Sequence, residues 1–264
     1  MVLREINKIS IIGAGNVATH LAVAFMDAGK EIIQVFSRKL LRAKELSVKC
    51  GAVPINDILE VTNDVDLIVI TVSDDALEEV VKKLPVGNTL VVHTSGSVSM
   101  DVLKPYGENI GVFYPLQTFS KDRQLSFNEV PLCLEADSVE NLELLKSLAI
   151  SLTDHIYFID SVQRKKLHLA AVFACNFPNF LYSIAEDLLD DNGLSFEMMK
   201  PLIIETAEKV KAISPSKAQT GPAFREDQKI IDSHLQILEN HKEFQEVYNL
   251  LSKNIIELKG ARNI

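Results

Sequence analysis

The stretch KISIIGAGNVATHLAVAFMDAG, which runs from Lys8 to Gly29, decides the fold of this chain. Its β-branched apolar run stops at a G-x-G-x-x-A pattern, which opens directly into a segment with helical periodicity. A strand, a glycine turn and a helix in this order are typical of a dinucleotide-binding unit, because the N–H groups at the helix start face a pyrophosphate. The sequence therefore predicts a phosphate-binding turn formed by Gly13, Ala14, Gly15, Asn16, Val17 and Ala18.

The small residues of this turn each have a mechanical reason. Gly13 permits the tight turn, Gly15 lets the backbone approach a pyrophosphate, and Ala18 lets the helix pack closely on the strand. A glycine turn in another kind of βα unit is the alternative for a motif that stands alone. The strand before this motif and the helix after it favour the dinucleotide-binding interpretation.

The end of the second predicted strand, 31–37, bears on the choice between NAD and NADP. An NAD-binding protein usually carries Asp or Glu about 20 residues beyond the glycines, where the carboxylate binds the ribose hydroxyls. This chain has Ser37, Arg38 and Lys39 at that place, and Arg42 follows one helical turn later. A hydroxyl and several cations suit a 2′-phosphate, so the sequence predicts NADP as the cofactor. The alternative is an ordinary solvated helix start.

The composition fits a two-domain globular protein and excludes several classes of function. At 264 residues with 47% hydrophobic residues, the chain is long enough for two packed cores. A net charge of −9 argues against a nucleic-acid partner, because no broad basic surface is available for phosphates. The three cysteines lack metal-ligand spacing, so we expect no disulfide, no metal site and buried, reduced thiols at Cys50, Cys133 and Cys175.

The hydropathy of the sequence favours a cytoplasmic protein. No apolar run approaches the length of a membrane-spanning helix, and the N-terminus enters the first strand without a signal-peptide pattern. We therefore expect no membrane contact and a small-molecule substrate as the partner.

Two further buried strands are predicted at 66–72 and 90–93, and small or hydroxylated residues follow their carboxyl ends. Ligands of doubly wound sheets bind beyond these ends. Ser95 is the favoured polar contact to a nicotinamide, and a Ser-Gly turn without chemistry is the alternative. The cofactor contacts expected from these two strand ends are Thr71, Val72, Ser73, Thr94 and Ser95.

The strand pattern ends near Asp160, and helical periodicity continues to the C-terminus. The predicted fold class is an α/β Rossmann domain with a doubly wound, mostly parallel sheet at 1–159, followed by an all-α domain at 160–264. No linker separates the two domains, so a site between them is expected.

Pro178 interrupts the first long predicted helix of the second domain, 161–189, because a proline inside a helix lacks the N–H of the hydrogen-bond ladder. The same helix carries His168 and Asn176 on a mixed polar face. A substrate-facing surface and a buried, hydrogen-bonded helix interface are equally good interpretations of that face.

Segments from both domains resemble one known family; they read GAGNVATHLA, HTSGS, YPLQTF, HLAAVFACNFPN and QTGPAFREDQKIIDSHL. In these segments the chain resembles two-domain Rossmann-like NADP oxidoreductases whose C-terminal half is a helical domain of unknown function. It is more distantly similar to pyrroline-5-carboxylate reductases, deazaflavin-dependent NADP oxidoreductases and the 6-phosphogluconate dehydrogenase superfamily. The resemblance implies a 6-phosphogluconate-dehydrogenase-like helical domain and a homodimer formed through it.

Apolar residues of the helical domain point to the same dimer, because they exceed what one small domain covers. The residues expected at this interface are Phe173, Phe177, Phe180, Leu181, Ile184, Leu188, Leu235 and Leu238.

The resemblance also bears on the reaction. In the segment that reads YPLQTF here, the family has a histidine before Pro-Leu, whereas this chain has Tyr114. This chain therefore lacks an imidazole acid at this position. Relatives of the 6-phosphogluconate dehydrogenase type use a lysine and an asparagine one helical turn apart. Asn176 matches that asparagine, and Val172 occupies the place of the lysine. His168, another turn back, is then the candidate proton donor.

The TGPAFRED segment combines a rigid turn with two opposite charges. We expect Arg225 to hold a substrate carboxylate or phosphate, with Asp227 fixing its guanidinium. The alternative is an Arg–Asp pair that only braces the start of a helix.

The favoured function is that of an NADP-dependent oxidoreductase, which transfers hydride between the nicotinamide and a small C=O or C=N substrate in the interdomain cleft. A non-catalytic NADP-binding sensor or assembly protein is the second interpretation, because the lysine of the Lys-Asn pair is absent. An acidic helical interaction module is the third, and it leaves the glycine turn unexplained.

Overall fold

The computed structural model describes residues 5–123 and 125–262. The chain divides into two compact units, Met1–Asn176 and Phe177–Ile264. The sequence pattern places the boundary at 159/160, so the two divisions differ by half of one long helix. The first half of that helix belongs with the first unit because its Arg164 side chain is buried there.

The first unit is built on an eight-stranded sheet with the order β3-β2-β1-β4-β5-β6-β7-β8. Its pairs are parallel except β6 with β7. The chain leaves β1 toward one edge and returns at β4 toward the other, which is the doubly wound arrangement predicted from the sequence. The strands are β1 Lys8–Ile12, β2 Glu31–Phe36, β3 Val53–Ile55, β4 Leu67–Ile70, β5 Leu90–His93, β6 Ile110–Pro115, β7 Leu132–Ala136 and β8 Ile156–Phe158.

Helices cover both faces of this sheet. Successive residues of β1 point to opposite faces, so Ile11 packs in one apolar cluster with Phe25, and Ile12 packs in another with Leu77. The buried apolar strands read from the sequence thus form the centre of a three-layer fold. The helices of this unit are α1 Asn16–Asp27, α2 Leu40–Cys50, α3 Asp74–Lys83, α4 Val139–Ile150 and α5 Ser161–Ala171.

Strand β6 is longer than the sequence pattern predicts. The sequence pattern predicts a strand over 110–113 and a loop over 114–119, and the start of that loop is wrong, because Tyr114 and Pro115 pair with Cys133 and Leu132 of the antiparallel strand β7. The partner strand β7 therefore holds the Tyr114 side chain at a fixed place at the end of β6.

The long helix runs from Ser161 to Asp190, and a π-helical segment, Val172–Asn176, separates α5 from α6, Phe177–Asp190. The predicted interruption is confirmed. Pro178 cannot donate a hydrogen bond to the carbonyl of Ala174, and a π-helical turn one residue wider absorbs the missing bond.

This helix alters one expectation about membranes. Within the described residues, Ser161–Asp190 is long and apolar enough to span a bilayer by length and composition alone. The expectation that no apolar run approaches that length is therefore wrong for this helix. One such helix is weak support for a membrane span, and it carries the buried cation Arg164 near one end.

The second unit is helical throughout its described part, 177–262. The apolar periodicity predicts one helix over 223–240, but the helix is broken, because Glu226 adopts a left-handed conformation (φ 57°) and Asp227 caps a new helix through the N–H of Ile230. Besides α6, its helices are α7 Lys200–Ala212, α8 Pro215–Ala218, α9 Pro222–Arg225, α10 Gln228–Ile237 and α11 Lys242–Arg262.

The cysteines differ in exposure. Cys50 and Cys133 are buried as expected, and burial raises the pKa of the Cys133 thiol to about 11. Cys175 is exposed within the π-helical segment, so the expectation of a buried thiol is wrong there.

Candidate functional site

The glycine turn has the shape that a pyrophosphate requires. Gly13 has a φ of +125°, and a Cβ atom added to it would lie 2.3 Å from Thr71 Oγ1. Gly15 has open space instead, because a Cβ atom there would meet nothing within 4 Å. The turn is thus closed against β4 at its first glycine and open for a ligand at its second.

A cavity of about 760 Å³ lies beyond the carboxyl ends of β1, β2 and β4. It brings together nine of the predicted cofactor residues. They are Gly13, Ala14, Gly15, Ser37, Arg38, Lys39, Thr71, Val72 and Ser73. Asn56, Asp57 and Lys83 also line it, and no motif in the sequence points to them.

Cations dominate one end of this cavity. In the described part of the chain, Arg38, Lys39 and Arg42 have no carboxylate within ion-pair distance, whereas Lys83 pairs with Glu79 at 2.6 Å. The carboxylate of Asp57 is engaged with the N–H of Leu59. Three unpaired cations and the Ser37 hydroxyl form a donor set that fits a 2′-phosphate and lacks the ribose-binding acid of an NAD site.

The first turn of α1 also anchors a loop. The Asn16 side-chain amide donates to the carbonyl of Phe119 at 2.8 Å, and His20 Nε2 lies 2.9 Å from the carbonyl of Ser120. Ala18 is fully buried against the sheet, as its predicted packing role requires, and Val17 is partly buried beside it. The side chain of Asn16 thus holds the loop after β6.

Thr94 and Ser95 follow β5 and lie outside that cavity lining. Thr94 Oγ1 donates to the carbonyl of Ile70 at 3.4 Å. Ser95 Oγ accepts from the N–H groups of Ser97 and Val98 at 3.1 and 3.0 Å, so its acceptor capacity builds its own turn. Ser95 Oγ also lies 3.4 Å from Ser97 Oγ, which itself donates to Asp74, so Ser97 accepts the Ser95 hydroxyl proton.

Two ring side chains meet beside this turn. Tyr114 Oη lies 3.2 Å from His168 Nδ1, and the two rings pack edge to face. A Cβ atom added to Gly96 would lie 2.6 Å from His168 Nδ1 and 2.9 Å from Tyr114 Cζ, so the pair occupies the space that any other residue would need. The structure therefore joins the predicted His168 to Tyr114, the residue at which this chain departs from the family motif.

The environment of Tyr114 keeps its phenol protonated. Burial raises its pKa to about 12, and a nearby Cys133 adds to that shift. The phenol is therefore able to donate a hydrogen bond near neutral pH, and His168 Nδ1 is close enough to accept that hydrogen bond.

A second histidine, His93, forms a hydrogen bond with the turn that follows β5. His93 is fully buried at the end of β5, and its Nδ1 accepts the N–H of Ser95 at 3.1 Å. Its buried Nε2 has no hydrogen-bond partner among the residues the structure describes. Burial first, and the charge of Arg164 second, lower the pKa of His93 to about 3.

Two other predicted site residues are exposed. Asn176 is exposed in the π-helical segment. Arg225 is exposed at the end of the four-residue helix α9. The expected pairing of Arg225 with Asp227 is wrong, because the carboxylate of Asp227 caps α10 and no ion pair joins the two in the described residues.

Comparisons with known proteins agree with this architecture. Residues 3–117 match the family model "Rossmann-like domain", and residues 130–255 match "Domain of unknown function (DUF2520)". A Bacteroides fragilis protein described as a "putative NADP oxidoreductase" is 44% identical, with a TM-score of 0.90 over 95% of this chain and 98% of that one. The chain belongs to the family of Rossmann-like NADP oxidoreductases with a DUF2520 C-terminal domain.

Two more solved structures share the fold of these Rossmann-like NADP oxidoreductases at lower identity. A Thermotoga maritima protein is 21% identical, with a TM-score of 0.73 over 97% of this chain and all of that one. An imine reductase from Myxococcus stipitatus, in complex with NADP⁺, is 18% identical, with a TM-score of 0.70 over 96% of this chain and 94% of that one. No curated protein matches the chain.

Proposed function

We propose that this protein is an NADP-dependent oxidoreductase that reduces a small C=O or C=N substrate, with Tyr114 and His168 delivering the proton. The observation that carries the proposal is the hydrogen bond of 3.2 Å between these side chains next to the turn after β5. The family membership and the cation-rich cavity support NADP as the cofactor. When bound, NADPH supplies the hydride.

The chain's own residues would hold the two ends of the cofactor differently. The turn at Gly13–Ala18 would bind the pyrophosphate through backbone N–H groups, and Arg38, Lys39 and Arg42 would bind the 2′-phosphate. Thr94 and Ser95, at the end of the neighbouring strand β5, would border the nicotinamide.

Proton delivery follows from the chemistry of the pair. Reduction of C=O or C=N leaves a basic oxygen or nitrogen that needs a proton. A phenol with a raised pKa is a poor acid on its own, so the proton would come from His168 protonated on both ring nitrogens. The imidazolium would donate to the substrate directly, or it would donate from Nδ1 to Tyr114 Oη as the phenol releases its own proton to the substrate, and either route leaves a neutral imidazole.

The π-helical segment supports a role for Asn176 beside His168, because it brings the two residues to the same side of the long helix. In an unbroken α-helix Asn176 would stand about 80° around the axis from His168, since each residue turns about 100°. The extra residue of the π turn reduces that angle to about 20°. The amide is exposed, so it can orient a polar substrate atom beside the imidazole.

The test is NADPH oxidation against a panel of small carbonyls and imines, with acids included. Tyr114→Phe and His168→Asn should each lower kcat by about 10²- to 10⁴-fold, and the double variant should lose little more, because residues that act as a unit are non-additive. NADPH affinity should stay unchanged. Full turnover by either variant would exclude the pair as the proton source.

We also propose that the substrate is acidic and contacts Arg225, which is exposed and has no ion-pair partner among the described residues. Arg225→Ala should raise KM for acidic substrates by about ten- to a hundredfold and leave neutral ones unchanged. Lys217→Ala, which removes another cation near the C-terminus of a short helix, is the matched control. A loss of thermal stability without a change in KM would make Arg225 structural.

A further inference from the structure

Arg164 is a buried cation that cofactor binding does not explain. Its side chain is 0% exposed, and it lies on α5 one turn before His168. Burying a guanidinium costs free energy unless its N–H groups find partners. Here they do, and the partners belong to the turn after β5.

The guanidinium grips both ends of the Ser95–Val98 turn. Its Nε donates to the carbonyl of Ser95 at 3.1 Å, and its Nη2 donates to the carbonyl of Val98 at 2.6 Å. Its Nη1 donates to Glu135 in an ion pair, and Nη2 also reaches Ser161 Oγ at 3.1 Å. The planar fork of arginine reaches two carbonyls and a carboxylate at once, which a lysine ammonium cannot do.

The carboxylate partner is itself held in place. Ser161 Oγ donates to Glu135 at 2.8 Å and accepts the N–H of Met100 at 3.0 Å. Ser161 begins α5, so the same network ties the start of the helix to the segment that follows the turn. The position of His168 one turn further along α5 is thereby fixed relative to the turn.

The N–H groups of the same turn differ in whether they have a partner. The N–H of Ser95 is bound by His93, and those of Ser97 and Val98 are bound by Ser95 Oγ. Within the described ranges, the N–H of Gly96 has no hydrogen-bond partner, although Gly96 is buried against Tyr114 and His168. A buried, unpaired donor beside the ring pair is suited to a polar ligand atom.

We propose that Arg164 is the positioning residue that holds the Ser95–Val98 turn and His168 in register to receive the nicotinamide half of the cofactor. The inference rests on the proposed NADP site. It assigns Glu135 and Ser161 as the partners that keep the guanidinium in place.

The experiment separates the two halves of the cofactor. Titrations of wild type and Arg164→Lys use NADPH and adenosine 2′,5′-bisphosphate, which contains the 2′-phosphate end without the nicotinamide. The variant should bind NADPH about tenfold more weakly and the bisphosphate within about twofold of wild type. Hydrogen exchange of the free protein should rise in the peptide covering 94–99. Ser161→Ala, which weakens the same network, should show smaller changes of the same kind, and it replaces Arg164→Lys if that variant does not fold.

Leu145→Ala is the control for lost stability, because Leu145 is a fully buried core residue on α4. It should leave both affinities and the 94–99 exchange in its native state unchanged. Equal loss of both ligands, or unchanged NADPH affinity and exchange in both network variants, would overturn the inference. Failure of wild type to bind the bisphosphate would instead refute the proposed NADP site, and the exchange of 94–99 would still decide the role of Arg164.

Discussion

At the scale of single residues, the cofactor preference depends on cations that have no acidic partner. Arg38 lines the cavity end with Ser37 and Lys39, so a 2′-phosphate would gain charge-assisted hydrogen bonds there. We expect Arg38→Ala to weaken NADPH binding by about 1.5–3 kcal/mol, or about ten- to a hundredfold, and to leave NADH binding nearly unchanged. Fluorescence titration of both nucleotides measures this.

The control for that variant is Lys49→Ala, which removes a cation from the last turn of α2, away from the cavity lining. It should leave the preference for NADPH intact. Equal affinity of the wild-type protein for NADPH and NADH would refute the assignment.

His93 makes stability depend on pH in a defined window. Its pKa is about 3 in the folded protein against 6.5 as the reference value, so the unfolded chain binds more protons between these values. The contribution of His93 to the free energy of unfolding is therefore fully present above about pH 6.5. It falls as the pH drops toward 3, by up to about 1.4 kcal/mol per pH unit.

Urea unfolding at pH 7.5, 6.0 and 5.0 checks this dependence. His93→Asn keeps an acceptor near the N–H of Ser95 and removes the titrating ring. Carboxylates contribute to the slope of both proteins, so the difference between the slopes isolates His93. The variant should show the flatter slope below pH 6.5. Parallel slopes would contradict the prediction.

Side-chain roles at this scale were only partly readable from the sequence. Residue types predict the phosphate-binding turn and the group of cations near Arg38, because the effects of a glycine on the backbone and of a charge on a nearby ligand are local. The sequence predicts a nicotinamide contact for Ser95, yet the Ser95 Oγ atom also accepts hydrogen bonds within its own turn. The Tyr114–His168 pair joins residues 54 positions apart, so only the fold could reveal that the two meet.

At the scale of elements, the segment after β6 is fastened to α1 at two points. Asn16 donates to the carbonyl of Phe119, and His20 contacts that of Ser120 and packs on the Phe119 ring. Asn16→Asp removes the donor and places a carboxylate against a carbonyl oxygen, so the segment should open more often. Trypsin should then cut faster after Lys121 and Arg123, two exposed sites in that segment.

Limited proteolysis followed by mass spectrometry measures those cleavage rates. Asn192→Asp is the matched control, since among the described residues its side-chain amide donates to the carbonyl of Leu188 on the preceding helix α6, and the change lies in the second unit. Equal cleavage rates in Asn16→Asp and wild type would show that the segment does not depend on Asn16.

Periodicity predicted the regular elements better than their interruptions. The sequence pattern predicts a helix after the glycine turn, a helix over 74–83 and a strand over 90–93, and these agree with α1, α3 and β5, because an apolar period of 3.6 or a short apolar run reports burial directly. The break at Glu226 lacks a local signal, since its left-handed backbone serves the cap that follows. The π-helical segment before Pro178 depends on how the helix compensates a missing N–H, which the position of a proline alone does not specify.

At the scale of the whole molecule, the order of elements was enough to predict a doubly wound sheet followed by helices, because crossover rules leave few topologies. The extent of the first unit was not, since a helical pattern is the same on either side of Asn176. Arg164 gave no signal in the sequence either. An arginine on a helix reads as a solvated charge unless the fold shows the carbonyls around it.

The second unit exposes many large apolar side chains to solvent, and such exposure is unfavourable in water. Its exposed large apolar side chains come from several helices, whereas Leu238, expected at the interface, is 6% exposed and belongs to the unit's own core. A surface of this kind normally marks an interface, and the family resemblance points to a second copy of the chain as the partner. The exposed residues include Phe180, Met198, Leu202, Ile204, Ile237, Leu250 and Leu258.

We therefore expect a dimer at micromolar concentration in sedimentation equilibrium. Phe180, which is 54% exposed on α6, would be covered in that dimer, so Phe180→Glu should shift the protein toward monomer by burying a charge at the interface. Val48→Glu changes a residue that is 86% exposed on α2 of the first unit and should leave the dimer unchanged. A wild-type monomer would contradict the proposed dimer. A dimer that Val48→Glu disrupts and Phe180→Glu does not would move the interface to the first unit.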